Sequence, residues 1–157
     1  MIRLAKQDDL LEIATLGKIF FDLETAFGPL IGTYEIEYIQ EVVLVPCNGP
    51  DSVLVVSENE GKIDGVFFAI ILRNTMYQRQ IAVAQEIIWH TDPALSPYRR
   101  MKTMQAVLEM GEWCLKMKGV KLSALGTRLS APAAGKLLKK LGYSATGLQW
   151  HKELRHA

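Results

Sequence analysis

Apolar and polar residues alternate from Met1 to Lys6, the period-two pattern of a short strand. Asp9 followed by Glu12 has capping-box spacing and predicts a helix with Leu10, Ile13, Ala14, Gly17 and Phe20 or Phe21 on one face. Gly28-Pro29 should end it. A second helix is expected from Thr33 to about Val43, broken by Pro46 and Asn48-Gly49-Pro50. Ser52 to Ser57 and Lys62 to Arg73 read as a hairpin around the turn Glu58-Asn59-Glu60-Gly61. Gln80 to His90 is a further strand. Ile81, Val83, Gln85, Ile87 and Trp89 share one of its faces, and Ala82, Ala84, Glu86 and Ile88 the other.

Asp92-Pro93-Ala94-Leu95-Ser96-Pro97 is expected to be a loop. A long helix follows from about Tyr98 to Lys118, lined on one side by Met101, Met104, Val107 or Leu108, Gly111, Cys114 and Leu115. Val120 to Leu125 is a short strand, and Ala131 to Leu141 a short helix closed by Gly142. Tyr143 to Leu154 ends the chain with strand-like alternation. Strands and helices interleave only in the second half. The order therefore predicts an α/β chain with a mixed, twisted sheet of six or seven strands and helices on both faces. Residues 80–90 and 119–125 should run parallel, joined by a right-handed crossover through the long helix, and splay apart at the Trp89 end.

The length of 157 residues fits one domain, 1–157, and 49% apolar with 22% charged residues is enough to bury a core. The apolar runs Val66 to Leu72 and Ile81 to Ala84 fall short of the roughly 18 residues of a membrane span. The first residues lack the apolar core of a signal peptide. Two cysteines, Cys47 and Cys114, make no disulfide framework, and neither they nor His90, His151 and His156 have metal-ligand spacing. A cytoplasmic protein without a metal and without a membrane partner is the expectation. The net charge of +1 hides an asymmetry. Residues 1–94 carry 6 Lys/Arg and 14 Asp/Glu, a net −8, and the remainder 12 and 3, a net +9. The acidic half could attract an amine and the basic half a polyanion, or both could be plain solvated surface.

The element order, the glycine-bearing strand Ile63-Asp64-Gly65-Val66 and the strand-loop-long-helix centre resemble the GNAT superfamily of N-acetyltransferases. The likeness spans nearly the whole chain. It includes Ile2-Arg3-Leu4-Ala5 at the start, Glu86-Ile87-Ile88-Trp89-His90-Thr91-Asp92-Pro93 at the centre, and Leu138-Lys139-Lys140-Leu141-Gly142-Tyr143 with Trp150-His151-Lys152-Glu153-Leu154 at the end. Compact bacteriophage-encoded members share this look. The resemblance implies acetyl-CoA as co-substrate and a small-molecule or protein amine as acceptor; a homodimer stays open. The basic second half would permit a nucleic-acid partner, but no aromatic-basic recognition motif supports one.

In that family a glycine-bearing loop and the helix N-terminus after it hold the cofactor's pyrophosphate. The matching stretch here, Ser96-Pro97-Tyr98-Arg99-Arg100-Met101, has no glycine, and Pro97 lacks an N–H. The resemblance thus implies phosphate contacts from about Tyr98, Arg99, Arg100, Met101 and Lys102. The two guanidinium groups would replace lost main-chain donors. It also implies that the main chain of Trp89, His90 and Thr91 lines the cofactor arm and polarises the thioester.

A lysine-like amine has a pKa of roughly 10.4, so a base helps it lose its proton near neutrality. Glu86, an acid in an apolar strand, is the candidate base, with a structural ion pair or the capping of a bulge as its other reading. His90 could be base or acid, or a surface histidine at a strand end. The family's tyrosine acid corresponds to Leu138, which has no proton to give. Tyr143 could serve instead or could be a packing aromatic, and Tyr98 is a second candidate. Two classes of function follow: an acetyl-CoA-dependent N-acetyltransferase, or a module of the same fold that has lost catalysis and binds.

Overall fold

Strand β1 (Ile2–Leu4) enters the sheet antiparallel to β2 (Ser52–Asn59), with Ile2 opposite Ser57 and Leu4 opposite Val55. The computed structural model describes residues 1–25, 33–44, 47–73, 82–125 and 132–144. Arg3 pins the entry point. Its guanidinium holds both Asp9 oxygens, at 2.6 and 2.9 Å, and its Nε donates to Glu58 at 2.8 Å.

Helix α1 (Leu10–Thr25) grows from a 3₁₀ turn at Gln7–Asp9. The expected capping box lies one turn earlier: Asp9 reaches back to accept from the Lys6 N–H at 2.6 Å. Glu12 instead accepts from the N–H of Ile63 at 2.8 Å and ties the helix to the sheet. Leu10, Ile13, Ala14 and Gly17 are buried, as the pattern required, and Leu16 is buried with them. The second helix starts later than expected. A short α2 (Ile36–Tyr38) passes into a π-helical segment, Ile39–Leu44. Ile36 and Ile39, partly buried, pack under α1, so the apolar anchors rather than Thr33 set where it begins.

Strand β2 runs on to Asn59, because Glu60 (φ 52°) and Gly61 (φ 77°) alone turn the hairpin into β3 (Lys62–Leu72). Positive φ at both turn residues matches the twist of the flanking strands. β3 pairs antiparallel with β4 (Val83–Thr91), and the pairing slips once. Ala69 faces Glu86 while Phe68 faces Ile88, so Ile87 is an extra residue in a β-bulge. The expected faces hold for Ala82, Ala84 and Glu86 and are reversed beyond Ile87. Ala84 and Trp89 both pack toward the long helix, and Ile88 packs on the other face. A bulge reverses the parity of alternation, and strict period-two reading misses it.

The loop after β4 ends one residue sooner than expected, because Pro97 is the first residue of α3 (Pro97–Met117) and Ser96 its N-cap. Gly119 (φ 77°) closes α3: its N–H donates to Lys116 O and that of Val120 to Leu115 O. β5 (Leu122–Ala124) then runs parallel to β4, with Val83 opposite Leu122 and Gln85 opposite Ala124. α4 (Pro132–Lys140) ends at Gly142 (φ 89°) with the same pair of backbone bonds.

The described residues form a mixed five-stranded sheet in the order β1-β2-β3-β4-β5. The expected strand over 145–154 and the turn at Gly28-Pro29 lie outside the described residues. α3 and α4 cover one face over Val53, Val55, Phe67, Ala69 and Ile71; α1 and α2 cover the other over Leu54, Val56, Val66 and Phe68. Cys114 is buried in the first core. Among the described residues no helix is long and apolar enough to cross a membrane.

Candidate active site

β5 pairs with β4 only at Val83 to Gln85, and from Glu86 to Thr91 the far edge of β4 has no partner strand among the described residues. This is where the two strands were expected to part. The bulge at Ile87 falls at the start of that stretch. An unpaired edge presents alternate N–H and C=O groups that an extended ligand can complete.

Trp89 fixes the open stretch against the helix layer. Its ring is buried and its Nε1–H donates to Met104 O on α3 at 3.0 Å. Thr91 is buried on the same face, its methyl 3.4 Å from where a Cβ of Gly65 would stand, and its Oγ1 has no hydrogen-bond partner among the described residues. A Cβ at Gly65 would meet Thr103 of α3 at 2.4 Å, so the glycine lets β3 and the start of α3 approach. Glu86, half-buried, is in register with Ala69 and so lies on the α3 side of the sheet.

His90 points the other way. It is 4% exposed, and its ring stacks on Phe20 of α1 at 4.7 Å with 4° between the planes. Burial pulls its pKa down to about 4, so the imidazole is neutral near pH 7. The surface-histidine reading is thus overturned, because α1 closes over the strand end. The Nε2 of His90 has no hydrogen-bond partner among the described residues.

The first turn of α3 carries the basic residues. Arg99, Arg100 and Lys102 are exposed, and Met101 is half-buried against the core. Tyr98 is exposed, with the Lys102 ammonium 4.8 Å above its ring. Ser96 Oγ accepts from the Arg99 N–H at 3.4 Å and Ser96 O from Arg100 at 2.9 Å. With Pro97 lacking a donor, Tyr98 is left as the first-turn N–H with no intrahelical acceptor.

Tyr143 follows α4. Its hydroxyl donates to Glu112 on α3 at 2.5 Å, and its ring packs on the core. Burial first, then the Glu112 carboxylate, raise its pKa above the ordinary phenol value. Leu138 is buried core.

Two residues were missed by sequence reasoning. Asp64 is 6% exposed, and its Oδ1 has no hydrogen-bond partner among the described residues. It is an acid within an apolar strand, the same signal that singled out Glu86. Tyr34 folds over α1, its hydroxyl 2.2 Å from where a Cβ of Gly17 would stand and its ring 5.5 Å from that of Phe21. Burial lifts its pKa to about 12, and no sequence pattern foretold the contact.

No family model and no curated protein matches the chain. Solved structures do. An aminoglycoside acetyltransferase from an uncultured soil metagenomic sample, in complex with sisomicin, superposes with a TM-score of 0.71 at 15% identity, covering 99% of this chain and 96% of that one. Glucosamine-6-phosphate N-acetyltransferase from Arabidopsis thaliana gives 0.67 at 20% identity, with 99% and 98% covered. A transcriptional regulator from Bacillus halodurans C-125 gives 0.72 at 21%, with 97% and 99% covered. The chain has the GNAT-like fold of such acetyltransferases.

Proposed function

We propose that the protein is an N-acetyltransferase that moves an acetyl group from acetyl-CoA to an amine. The observation that carries this reading is that, among the described residues, β5 pairs with β4 no further than Gln85, while β4 runs on to Thr91 and leads straight into the N-terminus of α3. Two further features fit the co-substrate: the orphaned Thr91 hydroxyl on the α3 side of that edge, and two exposed arginines in the first turn. Bound there, acetyl-CoA would supply the activated acetyl group. The β4 main chain would hold its extended arm, and Tyr98 N–H, Arg99, Arg100 and Lys102 its phosphates. Glu86 would draw the proton from the acceptor amine.

A second reading, a binding module without catalysis, is favoured by specific features of the chain. The loop before α3 has no glycine, and the Tyr143 hydroxyl is bonded to Glu112. Tyr143 as general acid, a cytoplasmic location, bacteriophage origin and a homodimer remain parts of the proposal.

Titration of the full chain with acetyl-CoA by calorimetry tests the reading; binding with a 1:1 stoichiometry is expected, and absence of heat and of thermal stabilisation would overturn it. Glu86→Gln should then lower kcat about 10²–10⁴-fold with acetyl-CoA affinity nearly unchanged, and activity should recover toward the pKa of the amine. Full turnover in that variant at neutral pH would remove Glu86 from the chemistry.

A further inference from the structure

The two helical layers carry opposite charge. Over residues 7–44, which hold α1 and α2, the sequence has eight Asp/Glu and one Lys, a net −7. Over residues 113–144, which hold the end of α3, β5 and α4, it has seven Lys/Arg and no acid, a net +7. α1 and α2 lie on one face of the sheet and α3 and α4 on the other, so the asymmetry along the chain becomes a front and a back in space.

Each layer also turns apolar side chains to solvent. On α1, exposed Leu11, Ile19 and Leu23 form a row at four-residue spacing, on the side opposite the buried Leu10, Ile13 and Gly17. Thr15, which completes the row, donates its hydroxyl to Leu11 O at 2.8 Å, so that group is satisfied within the helix. On α3, Trp113 and Met117 are 57% and 72% exposed, one turn apart and opposite Val107, Gly111 and Leu115. α4 buries Leu137 and Leu138 and exposes Lys136, Lys139 and Lys140. Single exposed apolar residues are ordinary, whereas apolar rows rimmed by charge of one sign mark an interface.

We propose that the protein associates with itself head to tail, the α1–α2 layer of one copy seated on the α3–α4 layer of the next. This goes beyond the acetyl-transfer reading and does not depend on it. Charge selects the second copy as occupant, because each layer finds the opposite sign on the other layer of its own kind. A two-fold pairing through either layer would set like charges together, which suppresses it. Ion pairs within the chain reinforce the contrast. Lys18, the one cation of the acidic layer, is held by Asp22, and the acids of α3 flanking Trp113, Glu109 and Glu112, accept from Gln105 and Tyr143. Trp113 and Met117 against the α1 row would form the core of the contact, with exposed Glu37 and Glu41 meeting the α4 lysines at its rim. An interface of unlike faces on opposite sides of one sheet leaves a free face of each kind at the ends, so growth is open-ended.

Sedimentation of the full chain tests this without any variant. The weight-average mass should climb with concentration past that of a dimer. Association should be at least about tenfold weaker at about 0.5 M salt than at about 0.05 M, where surface charges are less screened. Two double variants then separate the faces: Ile19→Glu with Leu23→Glu, and Trp113→Glu with Met117→Glu. All four positions are exposed and glutamate is a good helix former, so both should melt as the wild type does. Each alone should be a monomer, since it lacks one of the two unlike faces, and their equimolar mixture should form a 1:1 dimer and stop there. A wild-type chain that stays monomeric into the millimolar range, a mass that levels at a dimer, or association indifferent to salt would overturn the proposal. So would either variant associating alone as the wild type does, or a mixture that stays monomeric beside an associating wild type.

Discussion

His90 shows how one side chain can set the acid limit of the protein. The stack on Phe20 removes it from water, and the imidazole pays for burial by titrating at about 4. The unfolded chain takes up that proton near pH 6.5 while the folded one does not, so stability is lost as pH falls from 6.5 toward 4. One proton corresponds to about 1.4 kcal/mol per pH unit over that window. Asp9 acts lower. The hydrogen bond from Arg3, with help from the Lys6 N–H, holds its pKa below 3.8; its contribution is whole above that value and lost as pH falls through the depressed one. Urea unfolding at stepped pH should therefore show a slope above pH 4 that disappears in His90→Phe, and a lower phase that disappears in Asp9→Asn. A His90→Phe profile identical to wild type between pH 6.5 and 4 would contradict the buried neutral imidazole.

Elements meet closely here at glycines. α3 lies over β3 with Gly111 against Phe67; a Cβ at that position would stand 2.3 Å from the ring. Alanine favours a helix by about 1 kcal/mol over glycine, while overpacking a rigid core costs about 1–3 kcal/mol. Both neighbours are buried, so the steric cost should win. Gly111→Ala is expected to lower Tm, and Phe67→Leu in the same chain to recover part of the loss by making room. A Gly111→Ala protein more stable than wild type would mean that α3 moves away freely. The bulge at Ile87 is the other decisive element feature, for it sends Glu86 to the α3 side of the sheet by register and His90 to the α1 side.

Across the whole molecule the basic residues 99, 100 and 102 stand at the start of α3, where a helix dipole opposes cations unless an anion is near. Replacing Arg99 and Arg100 together by alanine should weaken acetyl-CoA binding by a few kcal/mol, at about 1.5–3 for each charged hydrogen bond lost, and flatten its salt dependence. Calorimetry at two ionic strengths checks both. Affinity equal to wild type in the double variant would make these arginines ordinary surface residues.

Local signals determined much of this protein by themselves. The hairpin at Glu60-Gly61, the apolar faces of α1 and α3, and the end of α4 at Gly142 each depend on residues near in sequence, and hydrophobic period or turn chemistry suffices for them. Asp64 in an apolar strand was equally visible there. Tertiary structure alone decided the faces of Ile88 and Trp89, the burial of His90 and the partner of Tyr143. An extra residue in one strand reverses every side chain beyond it, and only pairing with Phe68 and Ala69 reveals the insertion. A histidine at a strand end becomes a core residue only when a helix from the other end of the chain lays Phe20 over it. A phenol is engaged or free according to whether Glu112, 31 residues away, comes within 2.5 Å. Each of these turns on contacts between distant residues, which no local pattern encodes.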